Sequence, residues 1–194
     1  MQAARGASLN PSDQVDHDPA RRRLDARLIF AGMAALAYAA DLASKQWALA
    51  SLADGDVEVL GDWLTLHLTF NPGAAFSTGT GFTIVFTCLA MVAVVVVLWL
   101  SRRLASTGWA LALGFLLGGV GGNLTDRIVR EPEPFHGHVV DFLMLPNWPV
   151  FNVADICINV AAGVIILQTF RGIALDGTRE DQKGSEAASG SDAA

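Results

Sequence analysis

The sequence predicts an all-α polytopic membrane protein, with four transmembrane helices and a small β-like platform on its outer surface. Three observations carry this expectation. The 194 residues are 52% hydrophobic and only 16% charged, and their mean hydropathy of +0.40 is well above that of an ordinary soluble domain. Four apolar windows each approach the ~20 residues that cross a ~30 Å hydrocarbon core as a helix. Basic residues cluster at alternate connections between the windows and are nearly absent from the others.

Residues 1–27 hold Pro11, Pro19, several acids and the Arg21, Arg22, Arg23 cluster, with no apolar stretch. They are expected to form a disordered cytoplasmic tail, neither a signal-peptide core nor a packed element. Its arginines suit anionic lipid. The first helix is then its own insertion signal. The windows run from 28 to about 49, 82 to 100, 109 to about 128, and 152 to 170. After them, residues 171–194 are dominated from Asp176 onward by Gly, Ser, Ala, Asp and Glu, and read as a second disordered tail. Residues 28–170 remain as the membrane domain.

Orientation follows from Arg21, Arg22, Arg23 and Arg27 before the first window, Arg102 and Arg103 between the second and third, and Arg171 after the fourth. Both termini and the middle loop are expected in the cytoplasm. The loops at roughly 50–81 and 129–151, where Arg130 is the one basic residue, are expected outside. From Asp62 to Phe70, Leu64, Leu66, Leu68 and Phe70 alternate with Trp63, Thr65, His67 and Thr69. This period of two predicts a strand within a platform over 56–75, its apolar face against lipid.

Cys88 and Cys157 each sit in an apolar run and are read as small hydrophobes rather than a disulfide. The net charge of -6 offers no nucleic-acid surface, although the acids lie mostly in tails and loops, so its sign says little about partners. No internal repeat is evident, which does not support an inverted-repeat transporter.

Ionisable residues in a membrane segment cost about 2.5 to 3.5 kcal/mol at the helix centre, so each needs a reason. The candidates are Asp41, Lys45, Asp126, Arg127 and Asp155. The proposed topology brings them to one end, with Asn123 and Asn152 beside them and Asn71 and Asp141 supplied by the outer loops. Asp141 and Asp155 are separated by a short loop and one helical turn, so their carboxylates can meet. Two carboxylates in contact share a proton and offer a base and an acid together, as hydrolysis by an activated water requires. Other readings stay open at this point. Asp41 and Lys45, spaced i, i+4, can simply neutralise each other; Asp126 and Arg127 suit structural ion pairs; Asp141 suits a solvated loop. The same acids suit a small proton-coupled membrane transporter. His136, His138 and Asp141, with His67, offer metal-ligand chemistry, though on no rigid element. No Gly-x-Ser-x-Gly elbow, phosphate-cradling loop or Ser/Lys dyad at a plausible depth is present, and the adjacent Ser44 and Lys45 point about 100° apart on a helix.

Five blocks in order then resemble the lipoprotein signal peptidase (signal peptidase II) family across roughly residues 38–163: DLASK at 41–45, FNPGAAFS at 70–77, GGNLTDRI at 121–128, GHVVDF at 137–142 and FNVADICI at 151–158. The resemblance implies that Asp141 and Asp155 are the catalytic aspartates, with Asp41, Lys45, Asn71, Gly73, Asn123, Asp126, Arg127 and Asn152 binding substrate or supporting the site. It implies an aspartic endopeptidase of the bacterial inner membrane, acting at the outer face on diacylglyceryl-modified prolipoproteins and cleaving before the lipidated cysteine, without metal or organic cofactor. The expected partners are lipid-modified prolipoproteins and membrane lipid, with no nucleic acid, and the chain is expected to be a monomer. The connection between the aspartates is short around Leu145 to Pro149, which leaves the shape of the loop over the site open.

Overall fold

The computed structural model of the chain describes residues 19–73 and 83–179. Along them run α1 (Pro19–Ser51), β1 (Val57–Glu58), β2 (Thr65–Asn71), α2 (Thr83–Ser101), α3 (Thr107–Val129), β3 (Val139–Met144) and α4 (Val153–Phe170). All four helices are long and apolar enough to cross a membrane. The valines Val92 and Val94 to Val97 of α2 favour strands in water, yet they form helix here. In lipid a single segment satisfies its backbone polar groups only as a helix, and that outweighs β-propensity.

The buried residues of α1 are Ala26, Phe30, Ala34, Ala37, Asp41, Lys45 and Ala48, spaced by three or four residues along the helix. This is the seam of a helix that packs along its whole length on a nearly parallel partner. The partner is α3, whose Gly114, Gly118 and Gly122 lie one turn apart. A Cβ on Gly118 would stand 2.7 Å from the Ala34 carbonyl oxygen and 2.9 Å from the Tyr38 nitrogen, so only glycine admits this approach. The adjacent Gly119 does the same for α4, where a Cβ would stand 2.6 Å from the Ala154 oxygen. Neighbouring glycines thus serve two partners, and α3 becomes the central helix. Phe30 lies by Gly114 and Asp41 by Gly122, so α1 and α3 run parallel; Gly119 meets Ala154 and Gly108 meets Gln168, so α4 runs antiparallel to them.

This topology puts residues 19, 102–106 and 171–179 at one end of the bundle and the strands at the other. The strands form one antiparallel sheet in the order β1-β2-β3. Val57 pairs with Leu66. Thr69 pairs with Asp141 and Asn71 with Val139, with an irregularity between Leu66 and Thr69. The expected strand is present, though it begins at Thr65 rather than Asp62, and residues 74 and 75 of the expected platform lie outside the described residues. Its apolar face is a correction. Leu66 and Leu68 pack against Ala48, Leu52 and Phe142 instead of lipid, because the end of α1 and β3 offer them an apolar surface. Phe70 remains half exposed. β3 lies where the sequence reading placed only loop. Its signal was the β-branched and aromatic run Val139, Val140, Phe142 between Gly137 and Pro146.

Both tail boundaries also move, so that the folded part of the chain extends on either side of 28–170. α1 starts at Pro19, since Ala, Arg and Leu continue a helix readily and Ala26 is covered by the cluster of Phe30, Val97, Leu104, Ala110 and Leu113. At the other boundary, residues 171–179 turn back onto the same end. Trp109 Nε1 donates to the Ile173 carbonyl at 2.7 Å, and the Ala105 and Ser106 amides donate to the Leu175 carbonyl at 3.0 and 3.2 Å. Leu175 packs on the cluster, a single apolar side chain that a composition reading of 171–194 passes over. Residues 1–18 and 180–194 lie outside the described residues.

Candidate active site

Asn152 caps α4 and organises the site. Its side-chain oxygen accepts from the Asp155 amide at 3.0 Å, while its own backbone amide donates to Asp155 Oδ2 at 3.1 Å. This reciprocal capping box follows from Asn and Asp three residues apart at a helix start, and it aims Asp155 back over the helix N-terminus. The Asn152 side-chain nitrogen then donates to Asp141 Oδ1 at 2.6 Å. One residue therefore holds both aspartates, through its backbone on one side and its side chain on the other.

The remaining oxygens are also placed. Asn71, at the end of β2, donates to Asp141 Oδ2 at 2.9 Å. The Gly73 amide donates to Asn71 Oδ1 at 2.8 Å, so Gly73 orients that amide with its nitrogen toward Asp141. Gly73 has φ of 113°, and a Cβ there would stand 2.8 Å from the Phe86 ring; both select glycine. Asn123 of α3 donates to Asp155 Oδ1 at 3.0 Å.

Beneath the pair lies a buried ion cluster. Lys45 Nζ is 2.7 Å from Asp41 Oδ2 and 2.9 Å from Asp126 Oδ2, and donates to Asn123 Oδ1 at 2.9 Å. The ammonium is thus held by two ion pairs and one hydrogen bond. Asp126 also pairs with Arg130, so two acids face two bases and the cluster is neutral. Its carboxylates reach further. Asp41 Oδ1 accepts from the Ala154 amide at 2.9 Å, in the first turn of α4, and Asp126 Oδ2 accepts from the Val140 amide at 3.2 Å, next to Asp141. These two contacts fix α4 and β3 against each other. Arg127 takes a different place from the ion pair its neighbour suggested. Its Nη1 donates to the Asn123 carbonyl at 3.2 Å, its Nε is buried without a hydrogen-bond partner among the described residues, and its charge acts on Asp141, Asp155 and Asp126.

All ten residues singled out in the sequence therefore converge. Arg130 was missed as a member, although Asp126 and Arg130 stand i, i+4 and that spacing favours an ion pair on a helix. The histidines go elsewhere: His67 pairs with Asp56 at 2.8 Å, and His136 lies 3.4 Å from Glu133. Among the described residues, no three His, Cys, Asp or Glu side chains group as a metal site. Cys88 and Cys157 are both free.

Asp141 is 2% exposed. Burial pushes its carboxyl up to about 6; the nearby charge of Asp155 adds to this, and the donors Asn71 and Asn152 partly offset it. Asp155 is half buried in the first turn of α4. Both open onto a cleft of about 470 Å³ walled by Asn71, the 148–151 loop and Ile156, Asn159 and Val160 of α4.

A family model described as Signal peptidase (SPase) II matches residues 33–171. The lipoprotein signal peptidase of Leifsonia xyli subsp. xyli is 42% identical over 193 residues, covering 97% of this chain and 89% of the relative. That of Streptomyces coelicolor is 45% identical over 162 residues, covering 82% and 79%. Two solved structures of a bacterial membrane enzyme, obtained by the in meso method, share the fold with a TM-score of 0.62 at 22% identity; each covers 71% of this chain, and the chain covers 85% and 89% of theirs. With a family match over most of its length and relatives above 40% identity, this chain belongs to the signal peptidase II family.

Proposed function

We propose that the chain is an intramembrane aspartic endopeptidase that removes the signal peptide from diacylglyceryl-modified prolipoproteins, cutting before the lipidated cysteine. The observation that carries this reading is the pair Asp141 and Asp155, bridged by Asn152 at 2.6 and 3.1 Å and open to one cleft. Burial favours the shared proton on Asp141, and the coupled pair titrates as a unit. Asp155 then takes a proton from water as the water attacks the scissile carbonyl, and Asp141 donates to the carbonyl oxygen. Asn71, Asn123 and Arg127 supply hydrogen-bond donors and positive charge around the developing oxyanion. A proton-coupled transporter would need polar groups continuing through the bundle, but the buried seam of α1 beyond Asp41 is Ala37, Ala34, Phe30 and Ala26.

The purified protein incubated with a synthetic diacylglyceryl lipopeptide is expected to release a signal fragment ending just before the modified cysteine, as read by mass spectrometry, and EDTA is expected to leave the rate unchanged. Absence of cleavage, or a loss in EDTA restored by zinc, overturns the reading.

The pH profile carries a sign. Because the Asp141 carboxyl is raised, the shared proton is held below about 6 and lost as pH rises through it, so kcat/KM is expected to fall on that side. The Asn71 donor favours the charged form, and Asn71→Leu is expected to move this limb to higher pH. An unmoved limb would separate Asn71 from the titrating pair.

The orientation proposed for this function keeps the arginine-rich end in the cytoplasm and the dyad at the outer face. With Cys88 and Cys157 replaced by Ala, Trp148→Cys on the exposed loop beside the cleft is expected to react with an impermeant maleimide in intact spheroplasts. Arg102→Cys is expected to react only after permeabilisation. The opposite pattern refutes the orientation.

A further inference from the structure

The mechanism leaves one polar side chain of the cleft unused. Asn159 lies on α4 one turn beyond Asp155, on a face otherwise apolar at this depth, beside Ile156 and Val160, which are 43% and 42% exposed. It lines the same cleft as Asp141 and Asp155. Polar side chains in a membrane-spanning segment are costly and mark function. Its amide nitrogen donates one hydrogen to the Asp155 carbonyl at 2.8 Å, which leaves a second hydrogen and the amide oxygen for another partner.

We propose that Asn159 binds the glyceryl ester of the lipidated cysteine, with Ile156 and Val160 packed against the first methylenes of the acyl chains. The inference rests on the peptidase reading and names the part of the substrate that this side of the site recognises. Dimensions support it. Four residues of helix place Asn159 about 6 Å beyond Asp155 along the axis. In the substrate, about seven covalent bonds separate the scissile nitrogen from the nearer ester carbonyl: through Cα, Cβ, the thioether sulfur and the glyceryl carbons. At roughly 1.3 to 1.5 Å per bond, a partly folded linker of that length spans roughly 6 to 9 Å. With the peptide bond at the dyad, an ester carbonyl therefore reaches the free N–H of Asn159. The chemistry also matches: an ester carbonyl is an acceptor in otherwise apolar surroundings, where one donor orients it and a wall of aliphatic side chains takes the chain that follows.

The test compares two synthetic lipopeptides of one sequence, the first with a diacyloxypropyl cysteine and the second with the dialkyl ether analogue, which lacks the carbonyls. The wild-type protein is expected to favour the ester over the ether in kcat/KM by about 3- to 10-fold, the worth of one hydrogen bond. In Asn159→Leu that ratio is expected to fall to about 1, chiefly through KM for the ester, and Asn159→Gln, which keeps the amide, is expected to restore part of it. If Asn159→Leu slows both substrates equally and the ratio survives, Asn159 only supports Asp155 and the subsite is overturned. If the wild-type protein cleaves neither lipopeptide, the peptidase reading fails and the subsite with it.

Discussion

Asp141→Asn and Asp155→Asn are each expected to lower cleavage of a lipidated prolipoprotein by about 10² to 10⁴-fold, the usual worth of a positioned proton-transfer group. Each change is nearly isosteric, and the amide that replaces the carboxylate keeps one acceptor oxygen. At position 155 that oxygen can still accept from the Asn152 backbone amide and so preserve the helix cap, while at position 141 it can accept from Asn152 or Asn71. Folding and insertion should therefore survive, and a melting curve run beside the activity assay separates the two effects. The double variant is expected to be no slower than the worse single one, because the carboxylates act as a unit and the second loss removes nothing further. Retention of a tenth of the activity by both single variants would sink the dyad.

Lys45→Met acts on the fold instead. The ammonium is fully buried between Asp41 and Asp126 and orients the Asn123 amide toward Asp155. Removing it leaves two buried carboxylates with Arg130 as the remaining partner, a loss of about 3 to 5 kcal/mol. For a chain of this size that is a fall of roughly 6 to 20 °C in melting temperature. Adding Asp41→Asn should recover part of the fall, since the second change removes one uncompensated charge. A melting temperature within a degree or two of wild type would mean that the cluster is not the buried, paired arrangement described above.

The helices were legible because a membrane imposes a simple demand: about twenty apolar residues, with nearly every backbone group bonded internally. The windows at 82–100 and 152–170 accordingly agree with α2 and α4 to within a residue or so at each end. Boundaries in water were less legible, because no such demand applies there. Pro19 to Arg27 could be helix or coil by composition, and Leu175 docks through one side chain. The strand β3 is short, and its pattern competes with that of a loop until β2 is placed beside it.

For the site, the residue types and their spacings were enough to nominate Asp141 and Asp155, and the family resemblance added the substrate. Asn152 and Asp155 at i, i+3 already contain the capping box, because that motif is local. What depended on the three-dimensional packing was the division of labour among the acids. Asp41 and Asp126 are neutralised because α1 and α3 come close enough, through Gly118 and Gly122, for Lys45 to reach both. Asp141 escapes that fate because β3 turns it toward Asn71 and Asn152, amides that hydrogen-bond a carboxylate without neutralising it. Local sequence can state which carboxylates exist and how far apart they lie along the chain. Whether each one meets a cation or an amide is a matter of long-range contact, and that contact separates the ion-paired acids from the pair proposed to be catalytic.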